Sequence, residues 1–135
     1  MSRKVARENV YKLVFEFLFN GTPNARTYTV LSNGDVDESD VAYMENIYYG
    51  IIEKYPELIS IISEHADGFA IDRIYKPDLS ALLIAIYEMK YIDDIPVAVS
   101  INEAVELVKK YSTDKSNSFV NGILASVNKS IAEKK

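Results

Sequence analysis

The sequence is 135 residues long, carries a net charge of −5 and is 48% hydrophobic, which suits one domain with a buried core. It contains no cysteine, which excludes disulfides, thiolate metal ligands and cysteine nucleophiles. No apolar run reaches the about 18 residues of a membrane span, and charges interrupt the apolar N-terminal residues, which excludes a signal peptide. We therefore expect a single domain over residues 1–135, located in the cytoplasm and without a membrane contact.

The charges are unevenly distributed along the chain. Between Ser32 and Asp67 stand nine acidic residues and one basic residue, Lys54, whereas most lysines and arginines lie near the two ends. The negative net charge argues against a generic nucleic-acid binder, because a basic surface supplies the attraction in such binding. The basic ends make one positive face if the fold brings the first and last helices together. Otherwise they are scattered solvated charges, and the sequence leaves both interpretations open.

Apolar residues recur at helical spacing along the chain, and glycine and proline separate the segments. The first apolar face runs from Val10 to Leu18, and Gly21 ends that helix. A polar loop then passes through residues 32–35. Ser39 or Asp40 can cap the second helix.

Prolines open the next three predicted helices. Pro56 suits the first turn of a third helix, Pro77 opens a fourth and Pro96 opens a fifth. The fourth, LSALLIAIYEM, is apolar nearly all round, which predicts the buried centre. A sixth helix follows a cap at residues 112–114. The residues predicted to be buried are Leu79, Leu82, Ile86, Ile101, Val105, Ile123 and Leu124. No strand pattern occurs, so we predict an all-α compact bundle of six or seven helices.

The sequence offers no set of residues that would carry catalysis or hold a metal. His65 lacks the partners that either role requires. The acidic cluster at residues 35–40 fails the calcium-loop pattern, because Asp40 stands where glycine is needed and Asn46 stands where the bidentate glutamate belongs. No phosphate loop or dinucleotide fingerprint occurs. We expect a binding protein that is not an enzyme, with no cofactor and no metal.

Two segments carry residues that folding alone does not require. On a helix, Arg3, Lys4 and Arg7 project from one side and repel unless an anion lies against them. Phe119 lies at the edge of an apolar face, where its ring could stack on an unpaired RNA base. Gly122 weakens the same helix by about 1 kcal/mol, which predicts a close backbone approach. The alternative for the three cations is a helix start that only increases solubility, and the alternative for Phe119 is a place in the core.

The sequence resembles the NusB family of bacterial transcription antitermination factors in three segments, IAIYEM (84–89), PVAVSINEAVELVKKY (96–111) and SFVNGIL (118–124). Arg7-Glu8 and Tyr43 with Gly50 extend the similarity over nearly the whole chain. The resemblance implies two perpendicular three-helix bundles. It also implies binding of the boxA segment of ribosomal-RNA leader transcripts jointly with NusE, a ribosomal small-subunit protein. With other Nus factors, such a complex helps RNA polymerase read through terminators.

The resemblance also implies roles for particular residues. Those matching the family's RNA-binding positions are Arg3, Lys4, Arg7 and Phe119. Asp78 and Phe15 fall where the family meets its protein partner or tunes the complex. The sequence departs from the pattern in having three cations in its basic segment where some relatives carry five or more. It also has Leu83 where an arginine is frequent.

Two other functions remain as alternatives. One is a NusB-like protein-interaction module without strong RNA binding, which the acidic middle of the chain favours. The other is the NusB-like N-terminal domain of ribosomal-RNA cytosine methyltransferases. We expect the antitermination function rather than the methyltransferase domain, because no methyltransferase segment follows the charged IAEKK tail. Some relatives self-associate, so a homodimer is a further possibility.

Overall fold

A computed structural model describes residues 2–33 and 37–133, and every regular element in these ranges is helical. The α-helices are α1 (Arg3–Asn20), α2 (Ala25–Ser32), α3 (Glu38–Glu53), α4 (Tyr55–His65), α5 (Lys76–Tyr91), α6 (Val97–Tyr111) and α7 (Ser116–Glu133). A 3₁₀ turn at Ile71–Arg73 lies between α4 and α5. The prediction of an all-α fold is confirmed. Part of the predicted loop, residues 34–36, lies outside the described residues. Within the described ranges, no helix has the length and apolarity to cross a bilayer.

Several helix ends fall where glycine and proline predict them. Helix α1 ends at Gly21, whose φ of 77° is the left-handed conformation that glycine adopts without strain. A proline lies in the first turn of both α4 and α5, and Pro96 immediately precedes α6. These boundaries follow from backbone constraints within a few residues, so the sequence predicts them well.

The start of α3 differs from the prediction. Helix α3 follows Asp37, ahead of both predicted caps, and no side-chain hydrogen bond caps it. Helix α1 begins at Arg3, in agreement with the placement of Arg3, Lys4 and Arg7 on a helix. The Ser2 hydroxyl caps α1 by accepting a hydrogen bond from the Val5 backbone N–H at 3.1 Å.

Helix α2 has no counterpart in the predicted pattern. None of its residues is fully buried, and only Tyr28 and Leu31 pack against the core, which makes its apolar stripe too short to predict a helix. The Asn24 side chain caps it by accepting from the Thr27 N–H at 3.1 Å. The Thr27 hydroxyl donates to Glu16 of α1 at 3.0 Å, which holds α2 against that helix.

Helix α5 is the centre of the fold. Each residue from Asp78 to Glu88 is buried. Helices α5, α6 and α7 contact one another pairwise and form a three-helix bundle. Helices α1 and α3 pack together and both contact α5, while α2 lies against α1 and α4 contacts α5 and α7. The prediction that the fourth apolar segment is the buried centre is confirmed.

Most of the predicted core is buried, namely Leu79, Leu82, Ile86, Val105, Ile123 and Leu124. Ile101 is only half-buried, and the prediction is wrong at this residue. The first turn of α6 carries the exposed residues Ala98 and Val99, so the apolar face of α6 is covered mainly over its later turns.

Gly50 of α3 lies directly against the Tyr87 side chain of α5. A Cβ atom there would overlap the ring and hydroxyl of Tyr87, which is buried and donates to Asn46 at 2.9 Å. We expect Gly50→Ala to lower the free energy of unfolding by about 1–3 kcal/mol, because overpacking outweighs the better helix propensity of alanine. Urea denaturation measures this change.

Gly122 provides the matched control, because a Cβ atom there would have no neighbour within 4 Å. The predicted close backbone approach at Gly122 is therefore wrong. Because only the better helix propensity of alanine acts there, Gly122→Ala should raise the free energy of unfolding by up to about 1 kcal/mol. Equal effects of the two substitutions would contradict the close packing at Gly50.

Candidate nucleic-acid interface

The first turn of α1 presents two of its three cations to solvent. The Arg3 side chain is 43% exposed, and its Nε donates to the Asp40 carboxylate at 3.0 Å. Its guanidinium also lies 4.6 Å from the centre of the Tyr43 ring. Lys4 is exposed, and no acidic residue of the described chain forms an ion pair with it. Lys4 is therefore the cation of this turn with the fewest constraints.

Arg7 points into the protein. It is 5% exposed, and its Nε and Nη2 donate to the two oxygens of Glu88 at 2.9 and 3.3 Å. The hydroxyls of Tyr43 and Ser100 donate to the same carboxylate at 2.5 and 2.7 Å. Arg7 lies on the same side of α1 as Arg3, since both guanidinium groups lie over the Tyr43 ring, but it is buried and a carboxylate of α5 supplies the anion that it requires. Arg7 can reach a phosphate only if this pair breaks.

The network around Glu88 joins four helices through groups that are all hydrogen-bonded, as burial of polar groups requires. Arg7, Tyr43, Glu88 and Ser100 come from α1, α3, α5 and α6. Burial, and then the Glu88 carboxylate, raises the pKa of the Tyr43 hydroxyl above its ordinary value, so Tyr43 remains a donor at neutral pH. The network fixes the direction in which the first turn of α1 leaves the core.

A second contact joins α1 to the end of α6. Lys110 donates to Glu8 at 3.1 Å, and the Tyr111 hydroxyl donates to the same carboxylate. The Tyr111 hydrogen bond, assisted by Lys110, lowers the pKa of Glu8, which is therefore ionised at neutral pH. Glu103 and Glu106 line the shallow groove beside this contact. The basic start of the chain thus meets α6 in a surface of alternating sign rather than in one positive face.

Phe119 lines an open cavity of about 580 Å³ between the α4–α5 connection and the start of α7. Its ring is half-buried and packs edge-to-face on Phe69, with the ring centroids 5.2 Å apart. Phe69 is 52% exposed. Arg73 and Lys115 are exposed and line the same cavity. Two aromatic rings and two cations therefore lie together, and sequence reasoning identified only Phe119 among them.

Asp78 lines this cavity from the first turn of α5 but is only 4% exposed. Its Oδ1 accepts a hydrogen bond from the Ser112 hydroxyl at 2.7 Å, and Ser112 lies 2.8 Å from the Ser116 hydroxyl. The carboxylate therefore anchors the connection between α6 and α7. This anchoring gives Asp78 a structural role beside any contact with a partner.

Phe15 and Phe19 form an aromatic patch on α1. Phe15 is half-buried, Phe19 is 64% exposed, and their rings meet edge-to-face with centroids 5.0 Å apart. The Lys76 ammonium lies 5.0 Å from the centre of the Phe19 ring. Sequence reasoning missed Phe19, although its spacing of four residues from Phe15 was a signal that both rings share one helix face.

Asp40 of the acidic cluster and the histidine have structural partners. Asp40 binds Arg3, whereas Asp37 precedes α3 without a side-chain cap hydrogen bond and Asp35 lies outside the described residues. His65 Nδ1 lies 2.7 Å from the Ser126 hydroxyl. Residues 2–33 and 37–133 contain no group of three or more side chains that could hold a metal ion.

Sequence reasoning also missed Glu88 and Phe69. Glu88 had a signal, because a carboxylate in a helix that is apolar nearly all round needs a buried partner. Phe69 had no such signal, since it follows Gly68 in a connection, and its ring partner lies fifty residues further along the chain.

Fold and site together define the class of protein. It is an all-α domain that presents a basic helix turn, a cavity with an aromatic ring pair and two cations, and a separate aromatic patch.

Comparison with known sequences identifies the family. The sequence model of the NusB family matches residues 4–129. The transcription antitermination protein NusB of Ruminiclostridium cellulolyticum is 43% identical over 130 residues, which cover 96% of this chain and 90% of that protein. The protein of the same name from Agathobacter rectalis is 41% identical over 128 residues, covering 93% of this chain and 98% of that one. The chain belongs to the NusB family.

Solved structures show the same fold. The chain is similar to T. maritima NusB with a TM-score of 0.86 and 29% identity, over 96% of this chain and 92% of that one. A crystal structure of the antitermination factors NusB and NusE in complex with dsRNA matches with a TM-score of 0.84 and 23% identity. That match covers 95% of this chain and 96% of the other. The helix order described above is therefore the NusB fold.

Proposed function

We propose that this protein is a transcription antitermination factor that binds boxA RNA of ribosomal-RNA leader transcripts together with NusE. The match to the NusB family over residues 4–129 carries this proposal. Relatives about 40% identical are named transcription antitermination proteins, and a structural neighbour was solved with NusE and dsRNA. The protein acts in the cytoplasm as a single domain, in a complex with other Nus factors and RNA polymerase, and without enzymatic activity.

The RNA side of the proposal uses the first turn of α1 and the cavity at Phe119. Lys4 and Arg3 contact phosphates, with Lys4 contributing more because Asp40 already neutralises part of the Arg3 charge. Arg7 acts indirectly, since its pair with Glu88 fixes the turn that carries the other two cations. Phe119 belongs to the ring pair that meets a base.

The protein side of the proposal uses the aromatic patch of Phe15 and Phe19, with Lys76 beside it. Exposed aromatic rings are typical of the centre of a protein interface, and Lys76 beside Phe19 suits its polar rim. NusE is the proposed partner at this patch, and Asp78 influences the complex through the connection that it anchors at Ser112.

One observation favours a second function, a protein-interaction module without strong RNA binding. Acidic partners occupy Arg3, Arg7 and Lys110, which leaves Lys4 as the unpaired cation at the start of α1 in the described chain. A boxA-like RNA titration with and without NusE separates the two functions. RNA binding by the complex supports the first, and NusE binding with no RNA binding in either mixture supports the second.

The contribution of Lys4 can be measured as a salt dependence. Each phosphate contact on single-stranded RNA adds about 0.7 to the magnitude of the slope of log K against log salt concentration. We expect Lys4→Ala to reduce that slope by about 0.7 and to weaken binding to all RNAs similarly.

Lys54→Ala is the matched control for Lys4→Ala. Lys54 follows the last residue of α3, fourteen residues beyond the Asp40 that binds Arg3, or about 21 Å along the helix axis. The Lys54→Ala variant should leave the slope of log K against log salt concentration unchanged. An unchanged slope for Lys4→Ala would remove the first turn of α1 from the RNA site.

A further inference from the structure

Within the aromatic pair at the cavity, we propose that Phe69 is the ring on which an unpaired RNA base stacks. Phe119 supports that ring from the side, and Arg73 and Lys115 contact the flanking phosphates. This inference rests on the proposed RNA-binding function and assigns the residues that perform it.

The two rings differ in what they offer to a base. Stacking needs a free ring face, and Phe69 is 52% exposed, whereas Phe119 is half-buried and packs against the hydrophobic core. The rings meet at an interplanar angle of 69°, so no base fits between them. The accessible face of the pair therefore belongs mainly to Phe69.

The backbone holds Phe69 in place before RNA arrives. Gly68 adopts a φ of 84°, which turns the chain sharply after α4, and the Phe69 N–H donates to the Ala66 carbonyl at 2.9 Å. The edge of one ring against the face of the other is a favourable aromatic arrangement that restrains both. A restrained ring loses little conformational entropy when a base stacks on it.

The charges around the cavity suit a nucleotide. Arg73 and Lys115 are exposed, and neither forms an ion pair within residues 2–33 and 37–133, so both are available to phosphates. The exposed Asp114 carboxylate lines the same cavity and suits an amino group on a base edge, whereas the buried Asp78 carboxylate is engaged by Ser112. A cavity of about 580 Å³ accommodates one base with its sugar and phosphate.

Tyr75 is the competing ring. It is 62% exposed and lines the same cavity, but it packs against no other aromatic ring in the described part of the chain. Phe69 is favoured because it is both exposed and braced, whereas Tyr75 is only exposed.

The test is a salt titration of boxA RNA binding, with NusE present, for the wild type and single variants. Phe69→Ala should weaken binding by about 5- to 140-fold, the equivalent of about 1–3 kcal/mol at tenfold per 1.4 kcal/mol, with the salt slope unchanged. Phe69→Tyr, which keeps an aromatic face, should bind like the wild type. Ultraviolet crosslinking with peptide mass spectrometry should place the crosslinked base on Phe69.

Tyr49→Ala is the matched control, because Tyr49 is also a partly exposed ring braced by other rings, Tyr28 and Tyr48. It should not alter RNA binding. The inference is overturned if the wild type and Phe69→Ala bind RNA equally well. A loss of RNA affinity in Phe119→Ala or Tyr75→Ala instead would assign the stacked base to that ring. Absence of RNA binding by the wild type, with and without NusE, would overturn the proposed function itself.

Discussion

Replacing Glu88 by alanine should lower the free energy of unfolding by about 3–5 kcal/mol, because removing one partner of a buried ion pair leaves the other charge uncompensated. The side chains of Arg7 and Glu88 are only 6% and 0% exposed. Tyr43 and Ser100 would lose the same acceptor, and a buried unsatisfied donor carries a further cost. Urea denaturation should show a lower midpoint with an unchanged slope.

A second ion pair ending on α5 gives the matched control. Glu57 accepts from Lys90, and both side chains are about one-third exposed. Such surface pairs contribute about 0–1 kcal/mol, so Glu57→Ala should cost far less than Glu88→Ala. Similar losses in the two variants would show that the Glu88 network does not organise the core.

Replacing Leu82 by alanine should cost about 2–5 kcal/mol, because it removes buried methyl groups and leaves a cavity that surrounding helices fill only in part. Leu82 is fully buried in α5, the helix against which α1, α3, α4, α6 and α7 pack. Thermal or urea denaturation measures the loss.

Val30→Ala is the control for Leu82→Ala, since Val30 is 66% exposed on α2 and its truncation creates no cavity. Its effect should stay within about 0.5 kcal/mol. A loss below about 1 kcal/mol for Leu82→Ala would contradict the central position of α5.

These energetics bear on the proposed RNA binding because, besides the Arg3–Asp40 pair, two contacts hold α1 just beyond Lys4. Arg7 binds Glu88 of the core, and Glu8 binds Lys110 and Tyr111 of α6. Lys4 lies one turn earlier and stays exposed. Variants that break either contact should therefore change RNA affinity by moving Lys4, and their folding stability needs to be measured alongside.

The sequence by itself determined the all-α class, the helix ends at Gly21, Pro56 and Pro77, and the central position of the segment around Leu82. Each of these follows from interactions within a few residues: a left-handed glycine, a fixed proline φ, or an apolar period of 3.6. The sequence also identified Phe119 as a candidate RNA-binding residue. Helix α2 was not predicted because only two of its apolar residues, Tyr28 and Leu31, pack against the core.

Only the tertiary structure decided which cations stay free and which rings meet. Arg7 binds the carboxylate of Glu88, 81 residues further along the chain, and Arg3 binds Asp40, 37 residues further along. Of the three cations, Arg7 is therefore buried, Arg3 is paired at the surface and Lys4 is unpaired. Phe69 joins Phe119 in the same manner, across the α4–α5 connection. Spacing along one helix fixes the direction of a side chain relative to that helix, but its partner depends on how separate helices pack, which local periodicity does not encode.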